Sequence, residues 1–155
     1  MVDGVAKTQL TRKLVDSLYV EAMVLADEAR AYFEDHGVEA RDLLPPSQRV
    51  GYAVESLKVT TRLMHVIAWL LTWRGEAAGE IDAQAALHPD RRLGLTAKSD
   101  QLVVDELPGG AQQLIWASEE LYKRVSRLEQ DFLTPDEEAP ASPARSLLGR
   151  LERAF

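Results

Sequence analysis

The chain has 155 residues, of which 46% are hydrophobic and 28% are charged, and its formal net charge is −7. This length and composition suit one folded domain with a proper core. The negative charge disfavours binding to nucleic acid or to an anionic membrane surface, because both rely on clustered Lys and Arg. The sequence contains no cysteine, which excludes disulfides and thiolate chemistry.

Neither a signal peptide nor a membrane span is expected. The N-terminal stretch lacks the apolar core of a signal peptide. The longest apolar run, Val66 to Leu71, is far shorter than the roughly 20 residues that a membrane helix needs. We therefore expect a soluble cytoplasmic protein.

Heptad spacing of apolar residues predicts a first helix from about residue 10 to residue 35. Gly37 follows it and is expected to end it in the left-handed conformation. The positions predicted to face inward are Val15, Leu18, Ala22, Leu25, Ala29 and Tyr32.

A second helix is predicted from Pro46 to Gly75, and we expect the rest of the chain to pack around it. Pro46 suits a first helical turn, and Gly75 is expected to end the helix. Residues 66–71 are apolar on every side, which is typical of a helix covered on every side. The predicted inner ladder is Val50, Val54, Leu57, Thr61, Met64, Ala68 and Leu71.

Residues 76–107 carry a weaker pattern. Residues 81–87 look helical, residues 91–95 form a basic turn, and residues 101–107 are either a helical turn or an extended piece. We expect this segment to wrap across the bundle, since a structureless connection of this length is unusual. A third helix is then predicted from Pro108 to about Leu133, with Leu107, Ala111, Leu114, Ser118, Leu121, Val125, Leu128 and Phe132 inside.

These patterns predict an all-α fold, an antiparallel three-helix bundle over residues 1–133 with a flexible C-terminal tail over residues 134–155. Residues 134–144 are rich in Pro, Ala and acidic residues, a composition that favours disorder. The terminal peptide is either a docking peptide for a partner's groove or a fourth element that folds back on the bundle. If it is helical, one face carries Leu147, Leu148, Leu151 and Phe155.

No catalytic, cofactor-binding or metal-binding motif is present, which favours a protein that is not an enzyme. His36, His65 and His88 all lack the Glu three residues earlier that a di-iron bundle requires. His65 lies in mid-helix, as in histidine phosphotransfer bundles. However, Ala68 and Trp69 depart from the His-x-x-Lys-Gly pattern, so a packed or hydrogen-bonded histidine is favoured.

Four residues of the bundle are candidates for contacts with a partner protein: Arg62, Trp73, Arg91 and Arg92. The neighbours of Arg62 on its helix favour a solvated face with one weak Glu55–Lys58 pair. Alternatively, Arg62 faces a partner, or the basic strip pairs with acidic residues of the first helix. Trp73 is a candidate interface anchor, and the two arginines could meet an acidic partner.

Two stretches, residues 17–34 and 55–75, together resemble the RcdA family, the "regulator of CtrA degradation" proteins of alphaproteobacteria. The most specific part is TTRLMHVIAWLL, and RLGL at residues 92–95 fits more loosely. The resemblance implies a homodimeric three-helix bundle with a flexible, functionally required tail. It also implies an adaptor that delivers protein substrates such as CtrA to the ClpXP protease, through a CpdR-like receiver protein and a PopA-like adaptor.

Two other functions remain open. One is a phosphotransfer bundle that signals through His65, and the other is a purely structural dimerisation module.

Overall fold

The computed structural model describes residues 2–134 and 150–154, with side chains from residue 9 onward. Three long helices form the bundle: α1 (Val2–Ala31), α3 (Pro46–Ala77) and α6 (Gly109–Leu133). Shorter helices lie in the connections: α2 (Val38–Asp42), α4 (Ala83–Ala86) and α5 (Gln101–Val104). Every regular element in the described part of the chain is helical, so the all-α prediction is confirmed.

The ends of α1 differ from the prediction. Its backbone is helical from Val2, earlier than expected, and a π-helical turn (Tyr32–His36) follows it. Gly37 has φ −92° and is not left-handed. A Cβ at Gly37 would lie 2.6 Å from the Tyr52 hydroxyl and 2.7 Å from Cε1 of Tyr32. Close packing against two aromatic rings, and not backbone conformation, is therefore what requires glycine at this position.

α3 begins with Pro46 in its first turn, as predicted, but it runs past Gly75 to Ala77. The left-handed glycine is Gly79, with φ +78°. Its N–H donates to the carbonyl of Glu76 at 3.0 Å, and the N–H of Glu80 donates to the carbonyl of Gly75 at 2.9 Å. This pair of hydrogen bonds is a Schellman motif, which satisfies the last carbonyls of the helix.

The long helices are not all antiparallel. α1 runs antiparallel to α3, since Asp16 pairs with Arg74 at one end and the ring of Phe33 packs on Tyr52 at the other. α3 and α6 run in the same direction, because Arg62 contacts Ser118 and, further along both helices, Trp69 stacks on Phe132. The antiparallel prediction therefore holds for α1 against each neighbour and is wrong for the α3–α6 pair.

The segment between α3 and α6 explains this arrangement. Residues 78–108, here called the crossover, return along the length of the bundle in the groove between α3 and α6. At its midpoint Leu93 lies beside Glu129 of α6, and near its end Val103 lies against Gly51 of α3. The prediction that this segment wraps across the bundle agrees with this path.

The inner faces of α1 and α6 match their predicted ladders, whereas the ladder of α3 is wrong. The α1 and α6 ladder residues are buried or half-buried. In α3, Val50, Leu57 and Met64 are 64%, 66% and 65% exposed. The residues of α3 that are buried instead are Tyr52, Glu55, Val59, Arg62, Leu63, Val66, Trp69 and Leu70.

Gly37→Ala should lower the free energy of unfolding by about 1–3 kcal/mol, because the added methyl group overpacks the site against Tyr32 and Tyr52. The matched control is Gly109→Ala, since a Cβ at Gly109 would meet no atom within 4 Å. Urea unfolding followed by circular dichroism measures both variants. Equal stability of the two alanine variants would contradict the packing explanation.

Candidate protein-binding surfaces

Arg62 holds the middle of the crossover from inside the bundle. Its side chain is only 2% exposed. Nη2 donates to the carbonyl of Ala97 at 3.0 Å and to the hydroxyl of Ser99 at 2.7 Å, and Nη1 donates to Ser118 of α6 at 3.3 Å. Burial lowers the pKa of the guanidinium, which nevertheless stays charged because an arginine pKa is so high. One side chain thus ties α3 to the crossover and to α6.

Glu55 and Lys58 hold the end of the crossover that lies near the start of α3. Glu55 is 1% exposed and accepts from the N–H of Asp100 at 3.2 Å and from Nζ of Lys58 at 3.0 Å. Lys58 also donates to the carbonyl of Lys98 at 3.0 Å. Burial raises the pKa of Glu55, but interactions with Ser99, Lys58 and the Asp100 N–H outweigh it, and the net pKa is lowered. The carboxylate is therefore ionised near neutral pH.

His65 and Glu129 hold the crossover at Leu93, its middle residue. Nδ1 of His65 lies 2.8 Å from the carbonyl of Leu93, which can only accept, so this nitrogen carries the proton. The N–H of Leu93 donates to Glu129 at 2.8 Å. The hydroxyl of Tyr122 donates to the carbonyl of Gly94. Side chains from α3 and α6 therefore form hydrogen bonds with main-chain groups of the crossover, which have no hydrogen-bond partner within a regular helix.

These contacts change the roles predicted for this face. The predicted solvent-exposed face is wrong, because Glu55 and Arg62 are buried. The alternative prediction, an exposed Arg62 that contacts a partner, is wrong for the same reason. The predicted pairing of the basic strip with acidic residues of the first helix is also wrong, since Glu21 pairs with Arg124 of α6. His65 acts as a hydrogen-bond donor to the crossover, in agreement with the favoured interpretation of a hydrogen-bonded histidine.

Trp73 is half-buried in an aromatic cluster at the end of the bundle. Its ring centroid lies 4.5 Å from that of Phe132 and 6.1 Å from that of Trp69. The indole N–H is buried and meets no acceptor in the described part of the chain. Trp73 is therefore a packing residue of the bundle end, and the exposed anchor expected from the sequence is not seen there.

Arg91 and Arg92 are exposed on the crossover, as a role in binding requires. Leu151 lies in the helical residues 150–154 and is 49% exposed. The other candidates of the terminal peptide, Leu147, Leu148 and Phe155, lie outside the described residues. Of the candidates that the structure describes, Trp73 and Arg92 line one small pocket near the end of the bundle, together with Phe132 of α6.

The misassigned ladder of α3 forms an exposed apolar stripe, defined by Val50, Val54, Leu57, Met64 and Leu71. These side chains are between 46% and 66% exposed. Beside the stripe, a groove of about 620 Å³ separates α3 from α1, and Leu57 and Met64 line it together with Ala26 and Phe33 of α1. Monomeric proteins seldom expose apolar surface of this extent, so the stripe is a candidate interface.

A second groove, of about 520 Å³, lies between α1 and α6 and is called the α1/α6 groove below. Trp116, which is 66% exposed, and Val24, which is 52% exposed, provide its apolar surface. The sequence analysis did not single out Trp116 as a surface residue. The signal was available, because Trp116 falls off the ladder that Leu114 and Ser118 define.

The described residues include no group of three or more His, Asp or Glu side chains that could hold a metal ion. None of the described helices is both long and apolar enough to cross a membrane.

Comparisons with known proteins agree with the resemblance seen in the sequence. Residues 6–155 match the family model described as "protein of unknown function (DUF1465)". The crystal structure of RcdA from Caulobacter crescentus matches with 35% sequence identity and a TM-score of 0.65, covering 77% of this chain and 90% of that chain. The chain belongs to the RcdA family. No curated protein matches the sequence.

Membership of the RcdA family confirms the family prediction made from residues 17–34 and 55–75. RcdA from Caulobacter and this chain share a fold over nearly the whole length of the former. The exposed stripe of α3 and the α1/α6 groove are thus features of an RcdA-type bundle.

Arg62→Ala should lower the free energy of unfolding by about 3–5 kcal/mol, because the substitution leaves buried polar groups of the crossover without partners. Arg91→Ala is the matched control, since that arginine is exposed and should cost under about 0.5 kcal/mol. Amide hydrogen exchange should also accelerate at residues 97–100 in the Arg62 variant. Unchanged exchange at those residues would mean that the crossover is held by other contacts.

Proposed function

We propose that this RcdA-type chain is a non-enzymatic adaptor that promotes regulated delivery of protein substrates to the ClpXP protease. The observation that carries the proposal is the 35% identity with RcdA over 90% of that chain. The structure supports it in one further respect, because the described part of the bundle has exposed apolar surfaces that could bind a partner protein. A protein that acts in this way works in the cytoplasm with the protease.

The proposed mechanism is tethering. An adaptor that binds the protease machinery and a substrate together raises the effective concentration of one near the other, without any chemistry of its own. The protease side would be reached through a CpdR-like receiver protein, and cargo such as CtrA directly or through a PopA-like adaptor. Arg91 and Arg92 on the crossover, together with the C-terminal tail, are the proposed contact regions.

Deleting residues 135–155 should abolish substrate delivery and leave thermal stability nearly unchanged. Thr134 is kept, because its N–H donates to the carbonyl of Gln130 at 2.9 Å and completes the end of α6. The measurement is the degradation rate of a CtrA-type substrate by purified ClpXP, the receiver protein and this chain. Calorimetry on the same samples measures the melting temperature.

The matched control replaces residues 135–144 with a Gly/Ser linker of equal length, which keeps the reach of the tail and leaves residues 145–155 intact. This variant should deliver substrate as the full chain does. Full-rate delivery by the truncated chain would refute the proposed role of the tail. Failure of the full chain to accelerate degradation at all would refute the adaptor function.

We also propose that the protein is a homodimer, with the exposed apolar stripe of α3 at the interface between the two copies. The stripe runs from Val50 to Leu71, a length of about 32 Å at ~1.5 Å per residue. Its heptad spacing is the spacing at which one helix packs along another. A stripe on one copy can pack against the same stripe on the second copy about a two-fold axis.

Leu57→Asp should convert the dimer to a monomer, because the interface would bury a carboxylate without a partner. The measurement is sedimentation velocity at several concentrations. The matched control is Leu102→Asp, since Leu102 is 80% exposed on α5 and lies outside the stripe. A Leu57 variant that still sediments as a dimer would exclude this face as the interface.

A further inference from the structure

The α1/α6 groove joins apolar surface to acidic rims. Val24 and Trp116 line its apolar part, and both are more than half exposed. Glu21 and Glu28 lie along the α1 rim, and Glu120 lies along the α6 rim. Arg124, the basic residue among those that line the groove, forms an ion pair with Glu21. The groove therefore suits a ligand that is apolar on one face and basic at its edges.

The C-terminal peptide of this chain, residues 145–155, has this complementary character. It carries three arginines, Arg145, Arg150 and Arg153, against one acidic residue, Glu152. On a helical wheel Arg150 lies on one side of the apolar stripe, and Arg145 lies on the other side together with Glu152. Residues 150–154 are helical, and Leu151 in the stripe is about half exposed. A helix of this kind can bury its stripe in an apolar groove.

The linker is long enough for the peptide to reach the groove on its own bundle. From Thr134 back to Trp116 along α6 is about 27 Å at ~1.5 Å per residue. Residues 135–144 span at most about 33–36 Å when extended. The peptide as a helix would be about 16 Å long, slightly more than the ~12 Å between Trp116 and Arg124. Both the reach and the length of the peptide are compatible with intramolecular docking.

The charges distinguish this groove from the one beside α3. The α1/α3 groove is lined by Arg30 and Glu34, so its charged groups balance. The residues that line the α1/α6 groove include three carboxylates and one guanidinium, and Glu120 also pairs with Lys123 beside the groove. One net negative charge remains, which favours a ligand of net positive charge. We propose that residues 145–155 dock as a helix in the α1/α6 groove of the same chain. Arg145 and Arg150 then face the carboxylates of the two rims, and any partner that binds the tail must compete with the groove.

This inference concerns the tail itself and does not require the adaptor function. The chain has no native cysteine, so a nitroxide label can be attached at Ser146→Cys alone. Ser146 lies opposite the apolar stripe on the helical wheel, so the label leaves the docking face open. NMR of the full chain should show strong paramagnetic broadening at amides along the groove. Those amides are at Val24, Glu28, Ala117 and Glu120, whereas Thr60 and Met64 in the α1/α3 groove should keep their intensity.

Two substitutions and one control test the contact. Leu151→Asp on the peptide and Val24→Asp in the groove should each remove the broadening, and the spectra themselves report whether the variants are folded. Leu102→Asp on α5, outside both grooves, is the matched control and should leave the broadening in place. Added salt should weaken the broadening, because the rim charges are exposed and therefore screened.

A mixing experiment separates docking within one chain from docking between chains. In it, isotope-labelled chain that carries no nitroxide is mixed with nitroxide-bearing chain that carries no isotope. The proposal is supported if broadening occurs when one chain carries both the isotope and the nitroxide, but does not occur in the mixture. Broadening that appears in the mixture assigns the peptide to a second copy and overturns it. Absence of broadening, its appearance at Thr60 and Met64, or its persistence in Leu151→Asp would also overturn it.

Discussion

Hydrogen bonds from buried side chains to the main chain of the crossover determine how the long helices are arranged. An extended segment lacks the internal hydrogen bonds of a helix, so its N–H and carbonyl groups need other partners when they lie against the bundle. Arg62, Glu55 and His65 of α3, with Glu129 of α6, supply those partners. The crossover can therefore run the length of the bundle, and α6 starts at the same end as α3 and runs parallel to it.

The same requirement explains why the inner face of α3 could not be predicted from apolar periodicity. Val59, Leu63, Val66 and Leu70 also recur at helical spacing, so α3 has two candidate ladders. The prediction chose the ladder without charged residues, and the structure buries the one that contains Glu55 and Arg62. A charge inside a bundle is tolerated when it is hydrogen-bonded. The partners of Arg62 are at least 35 residues away in sequence, so no local pattern reveals them.

The inner face of α1, which is apolar, was predicted well, and so was the ladder of α6, although Ser118 and Glu129 on that helix have polar partners elsewhere in the fold. α1 and α6 each bury the expected ladder, and the turn chemistry of Pro46 and Pro108 marked helix starts. Glycine roles were predicted less well, because Gly79 and not Gly75 is the left-handed glycine after α3, and Gly37 is required by the aromatic side chains that pack against it. The candidate binding residues show the same division. Arg91 and Arg92 are exposed, as expected. Arg62 and Trp73 instead contact residues that are distant in sequence, and these contacts form only when the chain folds.

The burial of Glu55 and Arg62 has a direct consequence for function. Because the α3 face that meets the crossover uses polar side chains to bind main chain, the apolar residues on the opposite side of α3 stay exposed, from Val50 to Leu71. Trp116 similarly leaves the α1/α6 groove partly apolar. Apolar surface of this extent favours association with other apolar surfaces in water. A bundle built in this way is suited to act by binding, since its internal polar groups are committed to the crossover and its apolar groups remain available to partners.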